Sequence, residues 1–262
     1  MSSLPNGPNS SLKPLKWYKK LAARKGRLEA GVFLVEGDRA VAQIAQNHPD
    51  RIVEIITVEG YSHTFNDYPV RNLTEKQFQS ICFAERPQGI MAIIRLPRDT
   101  YSEELPESLG YKILLLEDVQ DPGNVGALIR TAAAFDFSGV ILTERCADPF
   151  SPKCVQSTAG TVLSLWIRRT ATYLESVQKI RQRGFSLIAA DIGGTDNPSV
   201  LLSWGKLLLA LGNEASGLSK SMLDMADCRL RIPIKKEKAE SLNVAACGAI
   251  CMYLSSPIQR QN

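Results

Sequence analysis

Short, nearly continuous apolar runs alternate with amphipathic stretches along most of this chain. In the first third, "FLVEG" predicts a strand and "DRAVAQIAQNH" a helix with Asp38 near its N-terminus. "RIVEIITV" predicts a second strand, "TEKQFQSICF" a helix that Thr74 can cap, and "GIMAIIRL" a third strand. Strands alternating with helices point to a small α/β unit. "RLPRDTYSEELPESLG" then breaks the pattern, being rich in Pro, Ser and acid and poor in apolar residues, and reads as a linker. Beyond it the alternation resumes, with strands expected at 112–116, 139–142, 185–190 and 206–211 and a short one in "CRLRIPI". Helices are expected at 124–135, 152–159, 172–183, 219–225 and 241–254. Runs such as "ILLL" and "LLLAL" are apolar on both sides of the strand, which predicts a parallel sheet covered on both faces. The domain boundaries that follow are a disordered Ser/Pro/Gly tail at 1–12, a domain at 13–96, a linker at 97–110 and a larger domain at 111–262.

The 262 residues are 44% hydrophobic and 22% charged, which excludes a low-complexity chain and leaves ample material for a core. No apolar run approaches the length of a membrane span. The tail with its basic continuation faintly resembles a transit peptide, but without an apolar core region a secretory signal is excluded and a cytoplasmic address is expected. The net charge is only +4, yet its distribution is uneven. Lys13, Lys16, Lys19, Lys20, Arg24, Lys25 and Arg27 all precede the first acid, Glu29, and a second cluster is Lys235, Lys236 and Lys238. Either run alone reads as solvated surface; together they point toward RNA or DNA phosphates. Six cysteines without a C-x-x-C, and two histidines far from most of them, give no zinc spacing, so no metal is expected and the cysteines read as reduced core residues.

Ligands of an open parallel sheet gather beyond the carboxyl ends of its strands. Three loops leave strands there: "EDVQDPGNVGALIR", "GNEASGLS" and "IPIKKEKAESLNVAA". The second has Gly212 and Gly217 but neither a dinucleotide fingerprint nor a Walker Gly-Lys-Ser/Thr, and Glu214 would repel a polyphosphate. Such a loop suits a neutral or cationic ligand, S-adenosylmethionine among them; a sharp strand-to-helix turn with an exposed Glu is the plainer reading. In the first loop Asn124 stands at a possible helix N-cap after Asp121-Pro122-Gly123, and Arg130 is the lone charge in an Ala-rich helix, either paired to a carboxylate or aimed into a site. In the third, Ser241 can cap the small-residue helix that begins near Asn243.

Taken together and in order, "DPGNVGALIRTAAAF", "LGNEASGLS" and "IPIKKEKAESLNVAACGAI" resemble the three motifs of SpoU-type RNA ribose methyltransferases of the SPOUT superfamily. "FLVEGDRAV" and "RPQGIMAI" are similar to the substrate-binding domain carried ahead of the catalytic one. The resemblance implies a parallel-sheet domain closed by a trefoil knot, a homodimer, S-adenosylmethionine held in the knot, and methylation of a ribose 2′-hydroxyl of transfer or ribosomal RNA, the latter slightly favoured. By position it implies Gly212, Ile232 and Leu242 as cofactor contacts and Asn124, Arg130, Glu214, Ser241 and Asn243 as the polar catalytic set. The charged "KKEKAE" departs from relatives that carry Gly or Ser there. A guanidinium is hard to deprotonate in a protein, so Arg130 reads as a clamp on substrate phosphate and a stabiliser of developing charge rather than as the base. The competing readings are a SPOUT-fold RNA-binding protein without catalysis and a base methyltransferase.

Overall fold

Strands form where the apolar runs lie, and their burial tells which are central. The computed structural model describes residues 13–195, 201, 205–235 and 237–256. The expected disordered tail and Lys236 of the second basic cluster lie outside the described residues. The chain divides into two units, the first holding residues up to Leu96 together with Phe150–Gly160, the second holding Pro97–Pro149 and the residues from Thr161 on.

In the first unit α1 (Leu15–Lys20) and α2 (Arg24–Ala30) lead into β1 (Val32–Glu36), α3 (Asp38–Asn47), β2 (Ile52–Val58), β3 (Val70–Leu73), α4 (Glu75–Gln79) and β4 (Ile90–Arg95). The sheet order is β1-β4-β2-β3, with β4 antiparallel to both neighbours and β3 parallel to β2. Thr74 caps α4 through a reciprocal capping box with Gln77. One face of the sheet buries Leu34, Ile56 and Ile93 against Tyr18, Leu21 and Phe78.

In the second unit the elements are β5 (Lys112–Leu116), α5 (Pro122–Ala134), β6 (Gly139–Thr143), β7 (Trp166–Thr170), α7 (Tyr173–Arg181), β8 (Ser186–Ala190), β9 (Leu207–Leu211), α8 (Lys220–Met225), β10 (Cys228–Leu230) and α9 (Val244–Leu254), while α6 (Pro152–Thr158) belongs to the first unit. Six parallel strands run in the order β10-β8-β9-β5-β6-β7. β5 and β9 are the apolar central pair, with Leu114 opposite Leu209 and Leu116 opposite Leu211. One face packs Val177 and Ile180 of α7 and Met222 of α8 on Ile113, Leu115, Leu187 and Leu208.

Two boundaries differ from the sequence reading. Residues 97–110 are not a free linker: they form a strap on the edge strand β7. Arg168 donates to the Glu104 carbonyl at 2.8 Å and pairs with Asp99, and Arg169 N donates to the Thr100 carbonyl at 2.7 Å. Thr100 is fully buried and Leu109 nearly so. Composition hides this because the strap is held by polar bonds. Residues 150–160, expected in the catalytic domain, pack with the first unit instead: α6 lies on β1 and the Phe150 ring sits 4.7 Å from that of Phe33. A contact so distant in sequence leaves no local trace.

Candidate active site

The loops that follow β5, β9 and β10 meet beyond the carboxyl ends of the parallel strands, where such sheets bind ligands. Each is shaped by a few side chains. After β5, the carboxylate of Glu117 is buried; it accepts from the Ser219 backbone N–H at 3.0 Å and from the Tyr173 hydroxyl. Burial, and then the hydrogen bond to Glu117, push the Tyr173 phenol up to about 12. Asp118 adopts a left-handed backbone with φ 57°, uncommon for a side-chain-bearing residue. Its amide N–H donates to Thr143 Oγ1 at 2.9 Å, its carboxylate accepts from the same hydroxyl at 2.7 Å, and Arg145 pairs with it at 3.1 Å. Asp121 then caps α5 by accepting from Asn124 N at 2.8 Å, with Pro122 in the first turn. Asn124 is therefore not the N-cap; it sits inside the first turn with its side chain free for other work.

After β9, Asn213 and Gly217 exchange two backbone hydrogen bonds, of 3.0 and 2.9 Å, and close the loop into a tight bend. Gly212 is obligatory for a steric reason. A Cβ there would stand 2.2 Å from the Gly217 carbonyl carbon and 2.4 Å from Leu218 N. The bend delivers Glu214, whose carboxylate accepts from Asn124 Nδ2 at 2.9 Å and faces the amides of Gln120 and Asp121 at 3.4 and 3.5 Å. After β10, Asn243 rather than Ser241 caps α9, its Oδ1 accepting from the Ala245 and Ala246 amides. The other end of Asn243 donates to Asn124 Oδ1 at 3.0 Å. Asn243, Asn124 and Glu214 thus form one hydrogen-bonded chain through all three loops.

Beside that chain opens a cavity of about 440 Å³. Gly212, Glu214, Ile232, Ser241 and Leu242 line it, so five of the eight residues singled out from sequence share one wall. Leu211, Leu230 and Val244 give it apolar surface; among its described charged residues Asp191 is paired to Arg229 at 2.6 Å, and Glu214 and Glu240 outnumber Arg231. Volume and composition are those of a small-molecule pocket. Its excess of carboxylates fits a cationic, phosphate-free ligand and disfavours a polyphosphate. Ser241 makes no hydrogen bond among the described residues. Arg130 stands apart from both features: it is exposed on α5, neither lines the cavity nor joins the hydrogen-bonded chain, and pairs with no carboxylate among the described residues. Among the described residues its guanidinium is thus without an ion-pair partner.

Several residues of the site carry no sequence signal of their own. Glu117, Asp118 and Tyr173 act through contacts spaced far apart in the chain, and Asn213 reaches across the site through one such contact. Cys247, assigned to the core from sequence, is half-buried and lines the cavity. A hydrogen bond from Cys251, one turn further along α9, lowers its thiol pKa. Among the described residues no group of His, Cys, Asp and Glu is placed to hold a metal ion, and no helix is long and apolar enough to cross a membrane.

The structure thus presents a carboxylate-lined small-molecule cavity beyond an all-parallel sheet, with its loops tied by amide side chains, and the comparisons specify the class of protein. Residues 111–253 match the SpoU rRNA Methylase family and residues 13–92 the MRM3-like substrate binding domain. The chain belongs to the SpoU rRNA methylase family. It is 29% identical over 245 residues to the 23S rRNA (guanosine(2553)-2'-O)-methyltransferase RlmP of Bacillus subtilis, covering 91% of this chain and 94% of that protein. The 23S rRNA (uridine(2479)-2'-O)-methyltransferase of Streptomyces viridochromogenes is 26% identical over 254 residues, covering 91% and 87%. Among solved structures, an AdoMet-bound rRNA methyltransferase from Sinorhizobium meliloti superposes with a TM-score of 0.78 at 26% identity, covering 92% of this chain and 93% of that one.

Proposed function

We propose that this protein transfers the methyl group of S-adenosylmethionine to a ribose 2′-hydroxyl of ribosomal RNA. The observation that carries the reading is the Asn243–Asn124–Glu214 chain set against a carboxylate-lined cavity bounded by the tight bend that Gly212 permits. S-adenosylmethionine supplies an electrophilic methyl group on a positively charged sulfur. Gly212, Ile232 and Leu242 would hold it, largely through backbone and apolar contacts. Glu214 fixes the Asn124 amide, and Asn124 and Asn243 orient the ribose. Holding acceptor and donor in line can supply about 7–11 kcal/mol of the barrier reduction. Arg130 grips an RNA phosphate and stabilises the developing alkoxide, and Ser241 is free to hydrogen-bond the ribose at the cavity wall.

In the first unit Lys13, just ahead of α1, and Lys16, Lys19 and Lys20 on it are exposed and suit RNA phosphates. Arg27 does not join them: it is 2% exposed and donates to the Leu21 and Ala22 carbonyls at 2.8 and 2.7 Å, tying down the end of α1. A homodimer and the trefoil knot implied by the family belong to the same reading. The exposed Ile250 and Tyr253 on α9, which packs on α5, give a second copy an apolar face to cover. A cytoplasmic address goes with a ribosomal substrate in the bacterial relatives. The test is ribose-methylation mapping of total RNA with and without the gene, together with calorimetry of S-adenosylmethionine on the purified protein. A methyl group found on a base would replace this reading with base methylation, and RNA binding without methyl transfer would leave only a binding protein.

A further inference from the structure

The two ends of the Asn213 side chain do different jobs. Oδ1 serves its own loop, accepting from Ala215 N at 2.9 Å, Ser216 N at 3.1 Å and Ser216 Oγ at 3.2 Å. Nδ2 leaves the loop and donates to the Asp118 carbonyl at 2.8 Å. That carbonyl points at Asn213 because Asp118 holds a left-handed backbone, and Asp118 is pinned there by Thr143 and Arg145. The bond is therefore a strut between the cavity loop at 212–217 and the segment at 118–121 that leads into α5. Glu214 follows Asn213 immediately, and Asn124 lies three residues beyond the Asp121 cap. Their 2.9 Å contact spans the same two segments as the strut.

We propose that Asn213 is a positioning residue for methyl transfer: through its Nδ2–Asp118 bond it sets Glu214 against Asn124 and so aligns the acceptor ribose with the methyl donor. This rests on the function proposed above. It assigns a role to the strut that is separable from the shape of the loop, because only one end of the side chain makes it. A misplacement of about 1 Å at a reacting centre can cost on the order of 100-fold in rate, so a change in this single bond should be visible in chemistry before it is visible in binding.

Asn213→Asp isolates the strut. The substitution preserves the volume and the Oδ1 acceptor for Ala215 and Ser216, but it replaces the donor with an oxygen facing the Asp118 carbonyl. The expected result is a fall in single-turnover rate of roughly 30–100-fold. The KM for RNA should stay within about threefold and the Kd for S-adenosylmethionine should not rise by more than that, because groups acting only on the transition state lower kcat without weakening substrate binding and an added carboxylate at the cavity favours a cationic donor. A double-mutant cycle with Glu214→Gln supplies the readout that a purely structural role would not move. If Asn213 acts through Glu214, adding Asn213→Asp to the Glu214→Gln enzyme should cost less than about threefold further. Equal costs in the two backgrounds, a rate near wild type, or a rate loss that equals the unfolded fraction would each overturn the proposal. Should Asn213→Asp not fold, Asp118→Gly tests the strut from the other side, since it releases the anchored elbow but keeps the carbonyl. The same kcat-only loss and the same non-additivity are then expected, and their absence overturns the proposal. A wild-type protein that methylates no RNA would instead defeat the assigned function, so the two failures are distinct.

Discussion

Replacing Gly212 with Ala tests whether the bend after β9 is what shapes the cofactor pocket. The added Cβ would meet the Gly217 carbonyl carbon at 2.2 Å and its oxygen at 2.4 Å. Both are backbone atoms, so no rotamer change relieves the overlap and one side of the bend must move by about 1 Å to reach ordinary contact. Moving it breaks the reciprocal Asn213–Gly217 pair, bonds of 3.0 and 2.9 Å. At about 1 kcal/mol net for each bond, the closed bend loses about 2 kcal/mol relative to an opened one. Only the closed bend presents the Gly212 edge and Glu214 to the cavity. A competent fraction of roughly one in thirty then raises the apparent Kd for S-adenosylmethionine about 30-fold. Calorimetry gives the affinity, and a melting curve on the same preparation shows whether the fold persists. Gly217→Asn is the control: Gly217 has φ 68° and open space around its Cβ position, and Asn tolerates that backbone. It should bind the donor within about threefold of wild type. The reasoning is refuted if Gly212→Ala binds the donor as wild type does, or if Gly217→Asn is equally damaging.

Three other outcomes are expected. Arg130→Ala should leave the melting temperature and donor affinity unchanged while methyl transfer falls at least ~100-fold, with little rescue by Arg130→Lys, which loses the planar two-pronged donor; a wild-type single-turnover rate would remove Arg130 from the mechanism. Changing Lys16, Lys19 and Lys20 to Glu should weaken RNA binding and flatten its salt dependence with donor affinity unmoved, whereas Arg27→Ala should instead lower the melting temperature; an unchanged salt slope in the triple variant would make α1 a solvated face only. Tyr173 is held protonated in the folded protein, with its pKa raised from 10.0 to about 12, so the stability it contributes is complete below pH about 10 and is lost as pH rises through about 12. Tyr173→Phe should flatten that alkaline loss in denaturant titrations without abolishing it, because Tyr18 carries a similar shift, caused first by burial and then by Glu54.

What could be read from the sequence follows from how locally each feature is encoded. β5 and β9 sit at the middle of the sheet and are buried except at Lys112, so their apolar runs announce them. β7 escaped because Arg168 and Arg169 interrupt its pattern; the Arg168 side chain is held by the strap at 97–110 and that of Arg169 by the Glu144 and Cys146 carbonyls, contacts that local periodicity does not contain. β3 is a four-residue edge strand, too short to carry a period. The caps failed differently. Asn124 and Ser241 have the right chemistry for capping, but Asp121 followed by Pro122, and Asn243 with two amides in reach, meet the geometric requirement better. At the site, motif order brought Asn124, Glu214 and Asn243 onto the page, but their mutual bonds span 90 and 119 residues of chain. Asn213 lay within the most informative loop and still carried no role, since its partner is a backbone carbonyl 95 residues away.

The excursion of residues 150–160 gives the protein an unusual kind of modularity. The chain passes from one unit to the other at Leu96, returns at Phe150 and leaves again at Gly160. The first unit, which carries the match to a substrate binding domain, is thus assembled from two separate stretches of the gene, and no single cut releases it whole. Removing everything before Pro97 would strand α6, with its buried Cys154 and Val155, inside a protein that no longer has a strand for it to cover. Removing everything after Leu96 would strip Phe33 of its ring partner. An exchange of substrate-binding modules between relatives of this architecture therefore requires two grafts made together, one terminal and one internal. Chimeras built at the apparent linker alone should inherit the N-terminal sheet of one parent and an orphaned helix from the other.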